Sequence, residues 1–248
     1  MSANEKMGYV HSIYNGGMVD GPGIRSVVFL SGCGLRCKYC HNPDTWDKKS
    51  GTEMTVEECM TEILKYKSYY KFSGGGVTIS GGEPLHQHKF VSELLKACRS
   101  VGVHTVLDTS GFANPAVVEA VLPLVDMVLL DIKSYNKEIY KELTGVDLAP
   151  TIEFAKMSQR FKVPVWIRYV LVPGITDDVK DLEKLANFLS RFDNIEKITV
   201  LPFHKQGEHK WEQIGLNYEL YDTPVPTITQ VEEAQRILDT GIQKGINL

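Results

Sequence analysis

Three of the five cysteines fall within eight residues, Cys33-Gly-Leu-Arg-Cys37-Lys-Tyr-Cys40. A C-x3-C-x2-C loop of this kind can turn three thiolates toward one metal centre. Three chemistries fit the spacing. A Cys3His zinc site would take His41 as fourth ligand, although a histidine next to Cys40 reaches the same tetrahedron with difficulty, and it would make the chain an interaction module without redox chemistry. Cys37-Lys-Tyr-Cys40-His41 also reads as C-x-x-C-H, the c-type haem attachment pattern, which requires export, and residues 1–9 (MSANEKMGY) lack the apolar stretch of a secretory signal. The third is an iron–sulfur cluster held by three cysteines alone, which leaves one iron open to a substrate ligand. Cys59 and Cys98 stand singly in segments of helical periodicity and are expected to be small buried core residues.

A second element is Ser80-Gly81-Gly82-Glu83-Pro84, directly after an apolar strand-like run, at the end where parallel α/β folds bind ligands. Glycines there let a ligand come close to the backbone; taken alone, the segment is a tight strand-to-helix turn. Polar residues close the later strands in the same way: Asp108-Thr109, Asp131-Ile132-Lys133, Arg168 and Pro202-Phe-His204. Singly, each has a structural explanation, such as an ion pair between Asp131 and Lys133 or a core histidine at position 204. Together they outline one elongated site on one rim.

To converge, these residues need a scaffold of parallel strands. Short β-branched runs alternate with longer 3.6-period stretches, which argues for repeated βα units. Six strands are expected, at Arg25–Leu30, Val77–Ser80, His104–Asp108, Met127–Ile132, Val165–Val172 and Ile198–Leu201. Helix starts are marked by capping boxes at Thr55-Val-Glu-Glu58 and Thr229-Gln-Val-Glu232 and by Asn114-Pro115. His204–Pro226 reads as a long surface connection. With no linker to divide it, the chain is expected to be one α/β domain over residues 1–248. A content of 43% hydrophobic and 23% charged residues excludes disordered and collagen-like classes. The net charge of −4 provides no global positive field for nucleic acid or anionic membrane, and no apolar run approaches the roughly 20 residues of a membrane span. A cytoplasmic protein is expected.

The cysteine loop with its glycine-rich turn resembles the radical S-adenosylmethionine (SAM) superfamily. That resemblance implies a 4Fe-4S cluster on Cys33, Cys37 and Cys40, whose unique iron binds the amino and carboxylate groups of SAM. It implies cofactor contacts from Tyr39, Cys40, His41, Gly81, Gly82, Asp131, Ile132, Lys133, Arg168 and His204, with Glu83 structural. Lys133 suits a carboxylate, and Asp131 or His204 suits ribose hydroxyls. It also implies an incompletely closed, TIM-like (β/α)6 barrel.

Asp20-Gly-Pro-Gly-Ile-Arg25 runs into Ser-Val-Val-Phe-Leu-Ser-Gly-Cys33, and the cysteine loop closes with Tyr39-Cys-His-Asn-Pro-Asp-Thr-Trp46. With Asp131-Ile-Lys133, Trp166-Ile-Arg168-Tyr-Val, Leu201-Pro-Phe-His204 and His209-Lys-Trp211, this is similar to the activating proteins of glycyl radical enzymes through nearly the whole chain. The resemblance implies reductive cleavage of SAM and abstraction of a hydrogen atom from one backbone glycine of a partner. It also implies a monovalent cation, Na or K, near Asp108, Thr109 and Asp131, and partner contacts from Asp20 and Arg25. Residues 42–75 contain only Cys59, so the cysteine-rich insert of some activators is missing. That favours the pyruvate formate-lyase type, with pyruvate formate-lyase as the partner; the resemblance further implies flavodoxin or ferredoxin as the electron donor.

Overall fold

A computed structural model describes residues 7–245, with side chains to residue 242. Its first strands are β1 (Met7–Gly17), β2 (Arg25–Leu30) and β3 (Thr52–Thr55), followed by helices α1 (Val56–Leu64) and α2 (Lys67–Ser73). Strand–helix alternation then begins, with β4 (Gly76–Gly81), α3 (His88–Ser100), β5 (His104–Thr109), α4 (Pro115–Val121) and β6 (Met127–Asp131). It continues through α5 (Lys137–Thr144), α6 (Ala149–Arg160), β7 (Val165–Leu171), α7 (Val179–Leu189) and β8 (Ile195–Pro202). The short α8 (Glu208–Gln213) and the long α9 (Ile228–Gly245) complete the described chain.

Among the described residues the eight strands form one sheet in the order β3-β1-β2-β4-β5-β6-β7-β8, with no hydrogen-bonded closure between its edges. From β2 to β8 every pairing is parallel, so the six expected strands form a partial (β/α)6 barrel. The strands missed in the sequence are β1 and β3, and both are antiparallel. β1 reads weakly because it is glycine-rich, polar and largely solvated, with Gly8, Val10 and Gly17 its only buried residues. Long-range bonds compensate: Gln87 accepts from Tyr9 N (2.8 Å) and donates to the carbonyls of Tyr9 (2.9 Å) and Ser31 (2.8 Å).

The capping box at Thr55 and Glu58 forms, and Asn114 caps α4. That of α9 lies two residues earlier than expected, on Thr227 and Gln230 rather than Thr229 and Glu232. The same S/T-x-x-E/Q spacing occurs at both positions, and Pro224 and Pro226 hold the chain extended up to Thr227. The expected connection 204–226 contains α8, anchored by the buried Trp211.

β7 shows how the fold divides its labour. Val165, Ile167, Tyr169 and Leu171 are buried in the main core, whereas Trp166, Arg168 and Val170 point the other way, into the barrel. Inside, Val106, Met127 and Leu129 pack with Trp166. One pleat further along the same face come Asp108, Asp131 and Arg168, the last two register partners across β6 and β7. The period of two therefore lifts charged groups onto an apolar floor. Cys59 and Cys98 are fully buried in the main core, Cys98 Sγ lying 3.6 Å from Met60 Sδ.

Candidate active site

At the C-terminal ends of these strands lies a cavity of about 480 Å³, within the range of small-molecule sites. Cys33, Cys37 and Cys40 line it, as do Tyr39, His41, Gly81, Gly82, Asp108, Thr109, Asp131, Lys133, Arg168, His204 and Asp20. Two expected site residues do not. Ile132 is fully buried in the main core, since the pleat turns it away from Asp131 and Lys133. Arg25 is also fully buried, so it does not present its side chain at the surface as the expected direct contact with a partner would require. Phe29, Ser110 and Val170 line the cavity although none was expected as a site residue, Phe29 and Val170 standing inside segments noted only for their resemblance. Two-residue spacing from Arg168 is the signal that could have found Val170.

The cysteine loop is held from three sides. Arg36 N and Lys38 N donate to the carbonyls of Thr144 (2.7 Å) and Leu143 (2.9 Å), which are unpaired at the end of α5. Gly82 N donates to Leu30 O and Glu83 N to Gly32 O, both at 2.8 Å, so the glycine turn is bonded to the start of the loop. Trp211 Nε1 donates to Cys40 O at 2.9 Å, and its indole meets Trp46 edge-on at 5.0 Å. Gly81 has φ +114°, and a Cβ there would lie 2.2 Å from Leu30 N. A Cβ on Gly82 would lie 2.5 Å from Gly32 O, a backbone atom that cannot swing aside. Gly82→Ala must therefore part the turn from the loop. We expect at least a tenfold loss of SAM affinity, about 1.4 kcal/mol, by calorimetry on the anaerobic protein. Affinity within twofold of the parent would show that the close approach is unused.

Glu83 bears out its structural reading. It is 1% exposed and accepts from Thr109 Oγ1 (2.6 Å), Ser110 N (2.9 Å), Ser110 Oγ (2.6 Å) and Leu85 N (3.2 Å). Burial raises its pKa, and these donors pull it back in part. The Thr109 hydroxyl, which donates to Glu83 and accepts from Gly111 N, is thus turned from the cavity.

The charged groups form one network. Arg168 donates through Nε to Asp131 (2.7 Å) and through Nη2 to Asp108, while Lys133 donates to Asp131 at 2.6 Å. Burial opposes ionisation of Asp131, but Arg168 and Lys133 outweigh it and hold the carboxyl down to about 2. Asp108 is raised, because burial and the neighbouring Asp131 outweigh Arg168. Burial opposes the charge of Lys133, yet Asp131 raises its pKa well above the usual lysine value. Both cations stay charged and line the cavity, already paired with Asp108 and Asp131, so an anionic ligand group would meet only the donors these pairs leave over.

Three cysteine thiols on the cavity wall, with His41 turned to His204, suit an iron–sulfur group that keeps one iron open. Burial pushes Cys33 and Cys37 up to about 12, so as free thiols they would be inert, whereas metal ligation removes their protons. Among the described residues no three His, Cys, Asp or Glu side chains converge as ligands of a single metal ion. His41 is turned to His204, its Nε2 3.0 Å from that residue's carbonyl oxygen and the rings stacked at 4.1 Å, rather than completing a Cys3His set. Among the described residues, Tyr39 Oη and His204 Nδ1 are buried without a hydrogen-bond partner.

Fold and site together define a radical SAM protein, and residues 27–189 match the family model described as the Radical SAM superfamily. The chain is 45% identical over 235 residues to the pyruvate formate-lyase 1-activating enzyme of Escherichia coli K12, covering 94% of this chain and 96% of that one. It is 47% identical over 216 residues to the pyruvate formate-lyase-activating enzyme of Clostridium pasteurianum, covering 87% and 90%. Among solved structures, a domain of the Bacteroides vulgatus pyruvate-formate lyase-activating enzyme aligns with TM-score 0.57 at 26% identity, over 68% of this chain and 95% of that one. A radical SAM methyltransferase from Sphaerobacter thermophilus, at 15% identity, shares the fold with TM-score 0.63 over 97% and 72%. The chain belongs to the radical SAM superfamily and, within it, to the family of pyruvate formate-lyase-activating enzymes. It is an enzyme, and its family implies a 4Fe-4S cluster and SAM.

Proposed function

We propose that this chain, acting as a single domain in the cytoplasm, activates pyruvate formate-lyase by generating a glycyl radical on it. The observation that carries this is the meeting of the three-cysteine loop, the Gly81-Gly82 turn and the Asp131–Lys133–Arg168 network in one cavity. A cluster held by Cys33, Cys37 and Cys40 would supply the electron for reductive cleavage of SAM, the chemistry from which a glycyl radical on the partner would follow.

This chain's residues bind and orient. Cys33, Cys37 and Cys40 would hold the cluster and leave one iron for SAM. The backbone at Gly81 and Gly82 would receive the methionyl amino group, Lys133 the carboxylate, and Asp131 or His204 the ribose hydroxyls, with Tyr39, His41 and Arg168 completing the wall. Na or K would bind at the Asp108–Thr109–Asp131 edge, where the aspartates supply carboxylate oxygen. Asp20, on the cavity wall, would meet the incoming polypeptide. The apolar wall of Phe29, Leu35, Val170 and Leu201 limits water beside the reacting atoms. Flavodoxin or ferredoxin would deliver the electron. Among the described residues no helix is long and apolar enough to cross a membrane.

The test is anaerobic reconstitution, then incubation with SAM, dithionite and pyruvate formate-lyase. About four irons per chain, methionine and 5′-deoxyadenosine as products, and a glycyl radical in the electron paramagnetic resonance spectrum are expected. One bound zinc with no cleavage, or cleavage with no radical on the partner, would overturn the reading.

A further inference from the structure

Among the described residues Arg25 is the bulkiest fully buried side chain, and its hydrogen-bond partners are four uncharged oxygens and, at 3.4 Å, the ring Nδ1 of His104. Nε donates to Thr78 Oγ1 (2.7 Å), Nη1 to Pro22 O (2.9 Å), and Nη2 to Val77 O (2.6 Å) and His104 O (3.3 Å). Thr78 Oγ1 in turn donates to Asp20 O at 2.6 Å. The guanidinium thus holds two carbonyls of one turn, Pro22 directly and Asp20 through one hydroxyl. The turn is pinned beyond them as well. Ile24 N donates to Ser73 Oγ (2.9 Å), and Gly23, at φ +66°, sits so close that a Cβ would lie 2.5 Å from Gly75 N.

The charges of Asp20 and Asp126 favour the buried guanidinium, but neither carboxylate is among its hydrogen-bond partners, and filling the space with apolar groups, as Val106, Met127 and Leu129 do nearby, would cost less. Burial draws its pKa down to about 10. What the guanidinium adds over an apolar residue is a rigid fork of directional donors. The turn it grips has two faces. Met18 and Val19 stand 76% and 85% exposed, while Asp20 enters the wall of the cysteine cavity.

We propose that Arg25, relayed by Thr78, is a positioning residue that fixes the Asp20–Gly23 turn at the barrel rim, so that the partner's glycine-bearing segment enters at a set depth, while touching neither that segment nor the cofactor itself. This rests on the proposed activation of pyruvate formate-lyase. Thr78→Val removes the relay with little change of shape, Thr78→Ser restores it, and Arg25→Lys keeps the charge but loses the fork.

Thr78→Val is expected to leave partner-independent SAM cleavage within about twofold. It should raise KM for pyruvate formate-lyase about tenfold, the worth of one hydrogen bond, and speed amide exchange over residues 18–24 by a similar factor. Thr78→Ser should match the parent, and Arg25→Lys should follow Thr78→Val. An unchanged KM, or SAM cleavage falling in step with radical formation, would overturn the proposal. Should the parent cleave SAM yet leave pyruvate formate-lyase without a radical, the partner reading fails instead. Exchange then decides: faster in Thr78→Val but not in Thr78→Ser supports the clamp, and equal rates overturn it.

Discussion

Replacing any one of Cys33, Cys37 or Cys40 by alanine is expected to remove both the cluster and turnover, with iron per chain falling to background and SAM cleavage to below detection. A cube with one iron reserved for SAM has no spare protein ligand, and His41, next to Cys40 in sequence, is engaged with His204. Cys59→Ala and Cys98→Ala should keep both, because these thiols lie in the main core, remote from the cavity wall. Each should cost about 1–2 kcal/mol for the cavity left behind. Iron and sulfide analysis with anaerobic visible spectra checks all five variants. A cluster lost in Cys59→Ala with the fold intact would show that the ligand set is wrong.

Glu83→Ala is expected to be the most damaging single change to the scaffold. It deprives Thr109 Oγ1, Ser110 N, Ser110 Oγ and Leu85 N of their acceptor at a buried site. Losses of about 1–3 kcal/mol per unsatisfied group, partly relieved by rotation of the two hydroxyls, give about 3–5 kcal/mol in urea unfolding. Because Thr109 and Ser110 also line the cavity, SAM binding should weaken in parallel. Glu83→Gln returns one of the two oxygens and should fall between the parent and Glu83→Ala. Stability of Glu83→Ala within about 0.5 kcal/mol of the parent would show that the junction does not depend on this carboxylate.

What could be read in the chain and what could not divides along sequence distance. The parallel strands were legible because each carries its own apolar pattern, a buried run in β6 (Met127-Val-Leu-Leu130) and an alternation in β7. β1 and β3 were not, because their own residues carry little apolar pattern and they are held by pairing, β1 between β2 and β3, and by Gln87 far along the chain. The box of α9 was displaced because two equivalent spacings compete and only the prolines before Thr227 choose between them. Arg25, beside Asp20-Gly-Pro-Gly, reads as a surface contact. It became a buried clamp because β2 lies against β4 in a register that places it beside Gly76, Val77 and Thr78.

The amino-acid sequence by itself determined the chemistry: three closely spaced thiols, a glycine turn after a strand, and charged residues at strand ends are local patterns whose residue types already limit what they can bind. Only the tertiary structure decided which of those residues share a cavity and which hold it together. It turned Arg168 inward between two aspartates, withdrew Ile132 and Arg25 into the interior, and laid Trp211 against Cys40 across 171 positions. The physical reason is that side-chain direction follows pleat and register. Both are set by hydrogen bonds and packing between segments distant in the chain, on which local composition carries no information.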